Sequence, residues 1–436
     1  MSTNDKPTVL IVGAGLGGLM MGALFEKSGV PYTIFERAVA VKPLGSVMSI
    51  GPTLLPIFQQ MGIYDDILAA GKYITHTETY KENLERYRAA DYRPIEEFTG
   101  YGQYIIDRPT YYNIMLKQVP AHKIHFGKRV TDIIETDDKV TIHLSDGETH
   151  EGDIVVGADG AYSSVRERIY EQLKAKGKLP MADQEELPFS FICLVGQTEI
   201  LDPEEFPIIK EPTCKFRGFL GKDIPFTAAM EKKAQSGETA EWGAYPTQTM
   251  IDETRHFPIQ LDDGKKRTMG DLYDLTPKDL ISKIMLEEKV FKTWHHGRVV
   301  LMGDGAVTAM HDAIALANLI YAQPTKTLGD ITKIFEEYQE ERFPAVMESF
   351  ENSKVMSKAA ARGIAGAILL FVMTHMPFWL WRLALKKTVR FRPQVGFLPN
   401  IPLMGSVIPV ISPSEQKARA LFEKQQQAGM VARFPL

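Results

Sequence analysis

The pattern of apolar and polar residues predicts a strand, a turn, a helix and a second strand at the start of the chain. Residues 9–12 form a short apolar run, and the glycine-rich residues 13–18 follow directly. A helical periodicity then continues to Gly29, and a second apolar run, residues 32–35, ends at Glu36. This order is typical of a βαβ unit in a parallel sheet.

Helical patterns and strand-like runs continue along the chain. The exception is a polar, tyrosine-rich segment, residues 73–102, which lacks strong periodicity. We expect this segment to approach a substrate region. Helices are predicted for residues 54–70, from Pro109, for residues 163–175, for residues 280–288, and after Gly305, where small residues recur. Strands are predicted within residues 123–159 (ending in a buried strand at 153–156), at 189–195, at 214–220 and at 298–302.

The glycines of the first turn have the spacing of a dinucleotide-binding fingerprint. Gly13 allows a sharp turn, Gly15 allows the backbone to approach a pyrophosphate, and Gly18 keeps the helix close to the sheet. Free N–H groups at the helix start suit an anion. Glu36 ends the second strand, where an acid can accept hydrogen bonds from ribose hydroxyls. The alternative is a glycine-rich turn in an ordinary α/β fold.

Two more acidic residues follow buried strands, and ligands of open α/β sheets bind at such strand ends. Asp159 follows the strand at 153–156, and Asp304 follows the strand at 298–302. Arg108 stands just before Pro109, at a helix start, where it is placed to reach an anionic or carbonyl group. The alternative for Arg108 is a solvated side chain.

Composition narrows the class of protein. The chain has 436 residues, 44% hydrophobic and 24% charged, which is ordinary for a globular protein and leaves room for two domains. A net charge of −5 gives no electrostatic reason to expect nucleic acid. Two cysteines exclude a disulfide scaffold, and the histidines form no HExxH pattern, so we expect no metal site. The polar N-terminus lacks a signal-peptide pattern, which predicts a protein that is not secreted.

The C-terminal region contains an unusual apolar run. Residues 363–381 include no Asp, Glu, Lys or Arg, and His375 and Pro377 interrupt the run. Tryptophans and a basic flank follow, which suits an interfacial membrane contact through residues 363–392 better than a true span. A buried C-terminal helix and a dimer contact are the alternatives.

Together, these motifs resemble those of the class A FAD-dependent monooxygenases, the relatives of p-hydroxybenzoate hydroxylase. The closer resemblance is to the fungal paxilline-type branch, which acts on terpenoid natural products. It extends over nearly the whole chain and rests on the fingerprint with Glu36, the Gly-Ala-Asp-Gly at 157–160 with Arg166, and four further segments, at 106–109, 268–272, 293–304 and 391–399.

The resemblance implies a cofactor and roles for residues. FAD would be bound with Gly13, Gly15 and Gly18 at the pyrophosphate turn and Glu36 at the adenosine ribose. The flavin side would be contacted by Gly45 and Arg108, and the ribityl chain by Asp304. Asp159 would serve both FAD and an incoming NAD(P)H, while Ala306 matches the end of the family's flavin loop. The resemblance assigns no catalytic side chain.

The implied fold is an α/β, Rossmann-like FAD-binding domain of the glutathione-reductase type, with a β-rich substrate domain and a C-terminal helical tail. We expect the FAD-binding domain at residues 1–180 and 291–350, the substrate domain at 181–290 and the tail at 351–436. The implied reaction uses NAD(P)H and O2 to hydroxylate or epoxidise a hydrophobic, terpenoid-type molecule. The expected location is the cytoplasm or the cytoplasmic face of a membrane.

The chain departs from the family pattern at two points. After the Gly-Asp at 303–304, the family usually has about a dozen residues with a proline and a Gly-x-Gly before the helix, whereas here Gly305 and Ala306 follow at once. A similar gap is predicted after Phe226. The first alternative is therefore a catalytically impaired homologue that keeps the fold, and the second is a flavin reductase that does not oxygenate.

Overall fold

A computed structural model describes residues 6–40, 47–185, 189–211, 213–220, 230–232, 247–261, 263–287, 289–323, 325–360 and 364–429. Gly45 and Phe226 lie outside these residues.

The strands and helices below are numbered in chain order. The strands are β1 Val9–Val12, β2 Tyr32–Glu36, β3 Val47–Ile50, β4 Lys72–Lys81, β5 Arg86–Asp91, β6 Tyr104–Asp107, β7 Ile124–Phe126, β8 Val130–Glu135, β9 Val140–Leu144, β10 Thr149–Gly152, β11 Ile154–Gly157, β12 Phe189–Val195, β13 Thr213–Leu220, β14 Met230–Lys232, β15 Pro258–Ile259, β16 Arg267–Thr268, β17 Ser282–Glu287, β18 His295–His296 and β19 Val299–Leu301. The helices are α1 Leu16–Ser28, α2 Leu55–Met61, α3 Tyr64–Ala70, α4 Pro94–Thr99, α5 Arg108–Leu116, α6 Ser164–Ala175, α7 Met181–Gln184, α8 Thr247–Thr254, α9 Met269–Asp274, α10 Ala306–Ala322, α11 Leu328–Ala360, α12 Ile364–Thr374, α13 Phe378–Thr388 and α14 Pro413–Gln427.

A six-stranded sheet in the order β18-β19-β11-β1-β2-β7 forms the centre of the molecule. Its strands are parallel except for β18, which pairs antiparallel with β19. The residues of β1 and β11 are all buried, as expected for strands covered on both faces. The predicted βαβ unit is confirmed, because β1 pairs with β2 and α1 connects them.

Helix α10 packs on α1, and small side chains make this close approach possible. A Cβ on Gly17 of α1 would lie 2.9 Å from the Cβ of Ala309 of α10. The alanines of α10 at positions 309, 313, 315 and 317 are all buried. The predicted helix of small residues is therefore a core helix.

A five-stranded mixed sheet lies beside this core. It has the order β13-β4-β6-β3, with β5 paired to β4, and β13 runs parallel to β4. The sheet joins strands from residues 47–107 with a strand at 213–220. Residues 73–102 thus contain regular structure, β4, β5 and α4, that the periodicity of the sequence did not indicate.

Two local predictions are wrong. Residues 54–70 form two helices, because Gly62 adopts a left-handed φ of 80° and ends α2. Residues 282–287 form strand β17 rather than a helix, since their backbone pairs antiparallel with β12. Ile281, Met285 and Leu286 have a spacing that fits a helix as well as a strand, so periodicity alone does not decide between them.

The C-terminal tail folds back over the core. Asn318 of α10 donates a hydrogen bond to the Gln394 carbonyl at 3.2 Å and accepts one from the Gly396 N–H at 2.8 Å. Gln60 of α2 donates to the carbonyls of Val395 and Pro399 at 3.1 and 2.9 Å. The segment at 391–399 that contributes to the family resemblance is therefore part of the core packing.

The uncharged run in the tail is divided between two helices. Helix α12 ends at Thr374, and α13 begins at Phe378, after Pro377. Among the described residues, we find no helix that is both long and apolar enough to cross a membrane.

Candidate functional site

Four neighbouring strand ends form the floor of a cavity of about 320 Å³. The N–H of Gly13 donates to the Phe35 carbonyl at 2.8 Å, and that of Ala158 donates to the Val12 carbonyl at 2.8 Å. Next to them, the N–H of Met302 donates to the Gly157 carbonyl at 2.9 Å. These bonds align the carboxyl ends of β1, β2, β11 and β19, which is where ligands of α/β sheets bind.

The cavity contains most of the residues predicted for the site. Its lining includes seven of them: Gly13, Gly15, Glu36, Arg108, Asp159, Asp304 and Ala306. Gly18 lies behind the turn rather than on the cavity wall, and Gly45 lies outside the described residues. The sequence motifs, far apart in the chain, thus converge on one site.

The glycines of the fingerprint differ in what they make room for. Gly13 has a φ of 107°, and a Cβ there would lie 2.4 Å from the Ala158 carbonyl oxygen. A Cβ on Gly18 would lie 2.0 Å from the Gly13 carbonyl oxygen, so Gly18 allows the close packing of helix and turn. A Cβ on Gly15 would meet nothing within 4 Å, although Gly15 lines the cavity. The space in front of Gly15 is therefore open to a ligand.

Glu36 fixes the fingerprint turn as well as lining the cavity. One carboxylate oxygen accepts the Ala14 N–H at 2.8 Å, and the other accepts the Ala38 N–H at 2.8 Å. Each oxygen retains further lone pairs for a hydroxyl group.

Asp159 is largely engaged with its own segment. Its carboxylate accepts hydrogen bonds from the Ser163 hydroxyl at 2.6 Å and from the Ser164 N–H and hydroxyl at 2.7 and 3.0 Å. These contacts fix the start of α6, whose N-cap is Ser163. A role of Asp159 towards FAD and NAD(P)H stays a prediction.

Asp304 lies in a tight connection between β19 and α10. Only residues 302–305 separate the two elements, and Gly305 is the N-cap of α10. A Cβ on Gly160, which has a φ of 81°, would approach an Asp304 carboxylate oxygen to 3.0 Å. The helix predicted after Gly305 is confirmed, and its start lies at the cavity through Ala306.

The cavity also contains residues that the sequence did not single out. Arg37, Lys128, Arg129 and Tyr162 line it. Hydrogen bonds to Asp146 and Glu148 raise the pKa of Lys128 and keep it cationic. Arg37 directly follows Glu36, which is the one signal that could have indicated it.

Tyr112 of α5 is close enough to Glu36 for the two side chains to interact electrostatically. In the helix pattern it counts as an apolar position of α5, yet its hydroxyl is buried and has no hydrogen-bond partner among the described residues. Burial, and then the negative charge of Glu36, raise the pKa of Tyr112 to about 12. A buried hydroxyl without a partner is unusual, but Tyr112 is not among the residues that line the cavity.

A buried ion pair supports the site from behind. Arg342 of α11 donates from Nε to Asp312 of α10 at 2.8 Å, and both side chains are at most 3% exposed. The other Asp312 oxygen accepts the Gly303 N–H at 2.9 Å. The pair therefore holds the turn that presents Asp304.

A larger cavity of about 610 Å³ lies on the other side of the α10 start. Ala306 lines the first cavity and Val307 the second, while Arg108 lines the first and Ile105 the second. Most of its other lining residues are apolar, among them Val47, Ile74, Ile95, Phe216, Trp381 and Leu385. Few polar groups face it, which suits a hydrophobic molecule.

The glycine turn, the acid that ends β2 and the parallel strand ends define a dinucleotide-binding protein of the Rossmann type. A family model described as "FAD binding domain" matches residues 6–353. The chain belongs to this family, and the FAD-binding α/β fold predicted from the sequence is confirmed.

Relatives and a solved structure agree with this assignment. The FAD-dependent monooxygenase ausM of Aspergillus calidoustus is 27% identical over 432 residues, which cover 93% of this chain and 91% of the relative. The FAD-dependent monooxygenase atmM of Aspergillus flavus is 25% identical and covers 92% and 88%. Klebsiella pneumoniae HpxO, solved with FAD and uric acid, has a similar fold, with a TM-score of 0.67 at 18% identity over 88% of this chain and 96% of that one. The resemblance to FAD-dependent monooxygenases is thereby confirmed.

Proposed function

We propose that the protein is an FAD-dependent monooxygenase that uses NAD(P)H and O2 to hydroxylate or epoxidise a hydrophobic, terpenoid-type molecule. The observation that carries this proposal is the meeting of two cavities at the start of α10. A cavity with a dinucleotide fingerprint lies on one side, and a larger, mostly apolar cavity lies on the other.

The residues present fit FAD. The open space before Gly15 suits a phosphate-bearing ligand, and the Glu36 carboxylate on the cavity wall can accept a hydrogen bond from a ribose hydroxyl. In this proposal Gly13 and Gly15 hold the pyrophosphate turn, with Gly18 packing behind it, and Glu36 binds the adenosine ribose. Arg108, Ala306 and Gly45 contact the flavin side. Asp304 binds the ribityl chain.

When bound, FAD supplies the exchange of electrons with NAD(P)H and the activation of O2. The chain's own residues then have to bind, orient and exclude water. The apolar walls of the larger cavity, such as Ile74 and Phe216, would hold the substrate against the α10 start and keep water away from it. No side chain need act as a nucleophile.

We also propose the wider organisation predicted from the sequence. The FAD-binding domain would comprise residues 1–180 and 291–350, the substrate domain 181–290 and the tail 351–436. The tail would contact a membrane surface through residues 363–392, on the cytoplasmic side. The named relatives favour the enzyme over an impaired homologue and over a non-oxygenating reductase.

The proposal is tested by following NADPH and NADH oxidation by the FAD-loaded protein with a panel of terpenoid alcohols and alkenes. We expect oxidation that requires O2 and a product that gains one atom from isotopically labelled O2. Product formation that continues without O2 would identify a reductase instead. A chain that retains flavin but never forms an oxygenated product with any member of the panel would contradict the proposal.

A further inference from the structure

Helix α13 has two faces that meet different surroundings. Trp381, Ala384, Leu385, Thr388 and Val389 line the 610 Å³ cavity at helical spacing. The Trp381 indole N–H donates to the Asp91 carbonyl at 2.8 Å, which fixes this face against β5. The inner face of α13 is thus a wall of the proposed substrate cavity.

The outer face of α13 exposes large apolar side chains. Phe378 is 55% exposed, Trp379 is 67% exposed and Leu383 is 57% exposed. The preceding helix α12 also exposes apolar side chains, with Ile364 at 83% and Ile368 at 59%. Trp379 and Leu383 are four residues apart and so share one face of α13, and large apolar side chains exposed together mark an interaction surface.

The net positive charge around α12 and α13 indicates what kind of partner this surface binds. Residues 352–414 contain no Asp or Glu, but they contain eight Lys and Arg residues. Four of these, Arg382, Lys386, Lys387 and Arg390, lie on α13 or just after it. Lys387 is 77% exposed even though it pairs with Glu348 at 2.8 Å. Tryptophan and phenylalanine beside lysine and arginine on one helix surface are typical of helices that lie in the interface of an anionic bilayer.

We infer that the outer face of α12 and α13 docks on an anionic lipid bilayer, and that α13 is the element across which a lipid-dissolved substrate enters the 610 Å³ cavity. The bilayer and the cavity would then be separated by the thickness of one helix, about 10 Å. The inference rests on the proposed function, because it assumes that the cavity takes an apolar molecule.

Docking is tested by flotation of the full-length protein with vesicles of equal parts phosphatidylserine and phosphatidylcholine. The double variant Trp379→Ser/Leu383→Ser removes two outer-face side chains without touching the cavity lining. We expect its vesicle affinity to fall at least about tenfold. The matched control Met181→Ser/Ile200→Ser changes two side chains that are 76% and 102% exposed elsewhere, and it should float like the parent chain.

Charge is tested separately with Lys386→Glu/Lys387→Glu. Two charge reversals should lower binding to the same vesicles at least about tenfold. Added salt should also lower the vesicle binding of the parent chain. A parent chain that does not float, or a double variant Trp379→Ser/Leu383→Ser that floats unchanged, would overturn the docking. So would sedimentation showing that this variant splits a dimer of the parent, since the face would then join two copies of the chain.

Entry is tested with a farnesyl benzophenone photoprobe, given either in detergent-free buffer or dissolved in the vesicles. We expect cross-linking to the peptide that contains Trp381 and Leu385 from both sources. In Trp379→Ser/Leu383→Ser only the cross-linking from vesicles should fall. Equal cross-linking of variant and parent from vesicles would overturn the entry route. Absence of cross-linking even from buffer would instead count against the proposed apolar substrate, which separates the two failures.

Discussion

At the scale of single residues, Glu36 combines a structural task with a proposed task in ligand binding. Its carboxylate accepts the backbone N–H groups of Ala14 and Ala38, and it also faces the cavity. The first task shapes the fingerprint turn, and the second is the proposed recognition of ribose. A loss of ligand affinity that exceeds the loss of stability therefore reports the second task.

We expect Glu36→Ala to weaken FAD binding about 10- to 100-fold, because a hydrogen bond from a hydroxyl to a carboxylate contributes about 1.5–3 kcal/mol. The far-UV spectrum should stay that of a folded protein. Equilibrium dialysis against FAD measures the change, with Asp66→Ala on the exposed side of α3 as the control. The same dissociation constant in Glu36→Ala and the parent chain would remove Glu36 from the site.

His311 is a residue whose burial makes stability depend on pH. Its Nε2 lies 3.2 Å from the Thr53 carbonyl oxygen, and its ring packs edge-on against Phe391. Burial, and then the nearby Arg342 cation, lower the pKa of His311 to about 3, from an ordinary value of 6.5. As the pH falls below 6.5, the unfolded chain therefore binds a proton that the folded chain excludes, and stability decreases.

Between pH 7 and pH 5 this group should remove about 2 kcal/mol from the free energy of unfolding of the parent chain. Glutamine carries no ionisable group at this position. We therefore expect the free energy of unfolding of His311→Gln to fall by about 2 kcal/mol less than that of the parent chain between pH 7 and pH 5. Urea denaturation at both pH values measures it. The exposed His256→Gln serves as the control and should follow the parent chain; a His311→Gln variant that follows it too would contradict the assignment.

At the scale of elements, the connection between β19 and α10 depends on the pair Asp312–Arg342. This pair links α10 to α11 and accepts the Gly303 N–H. Removing one partner of a buried pair leaves the other without compensation, which is far more costly than losing an exposed pair.

We therefore expect Arg342→Met to lower the free energy of unfolding by about 3 kcal/mol. The matched control is Lys354→Met on the same helix, whose exposed pair with Glu351 should contribute less than about 1 kcal/mol. Denaturant melts of both variants test this. Similar losses in the two variants would show that the buried pair does not hold the turn.

The short connection after Asp304 makes a second prediction at this scale. A family-like loop of about a dozen residues would add backbone N–H donors, each contributing about 1 kcal/mol to flavin binding. Inserting such a loop, with its proline and Gly-x-Gly, after Asp304 should raise FAD affinity at least about tenfold and increase O2-dependent NADPH oxidation. A Gly-Ser insertion of equal length is the control. If the parent chain binds FAD and turns over as well as the insertion variant, the short connection is sufficient.

The sequence predicts elements well where their own residues determine them. The apolar runs of β1 and β11, the glycine turn and the Pro109 helix start were all identified correctly. The prediction fails where pairing with a strand that is distant in the sequence determines the secondary structure. Residues 282–287 form strand β17 because they pair with β12. It also fails in residues 73–102, where alternation is weak because few side chains of β4 and β5 are buried.

For the site, the sequence indicates the groups at strand ends but not those brought in from elsewhere. Gly13, Glu36, Asp159 and Asp304 follow predicted strands, so their convergence follows from the parallel sheet. Lys128 and Arg342 reach the site or its support only through the tertiary fold. Their neighbours in the sequence carry no signal of this.

At the scale of the whole molecule, consecutive elements connect the proposed adenosine site to an outer surface. The strand ends of the central sheet line the first cavity, the start of α10 separates it from the second, and α13 closes the second towards the exterior. The tail is tied to this core through Asn318 and Gln60. The proposed FAD site, the proposed substrate cavity and the proposed membrane face therefore lie on consecutive layers of one fold.

The most direct test is an FAD titration of the purified chain, of Gly15→Leu and of Gly329→Leu, followed by the visible absorbance of bound flavin. A Cβ added at Gly15 would meet no atom within 4 Å, so we expect the variant to fold, and the rest of its side chain would extend into the space proposed for FAD. Gly329 is equally open and lies on α11, away from the cavity lining. We predict saturable binding of one FAD to the parent chain and to Gly329→Leu, and at least about a 100-fold loss in Gly15→Leu. A parent chain that binds no FAD, or a Gly15→Leu variant that binds it as tightly as the parent, would contradict the account.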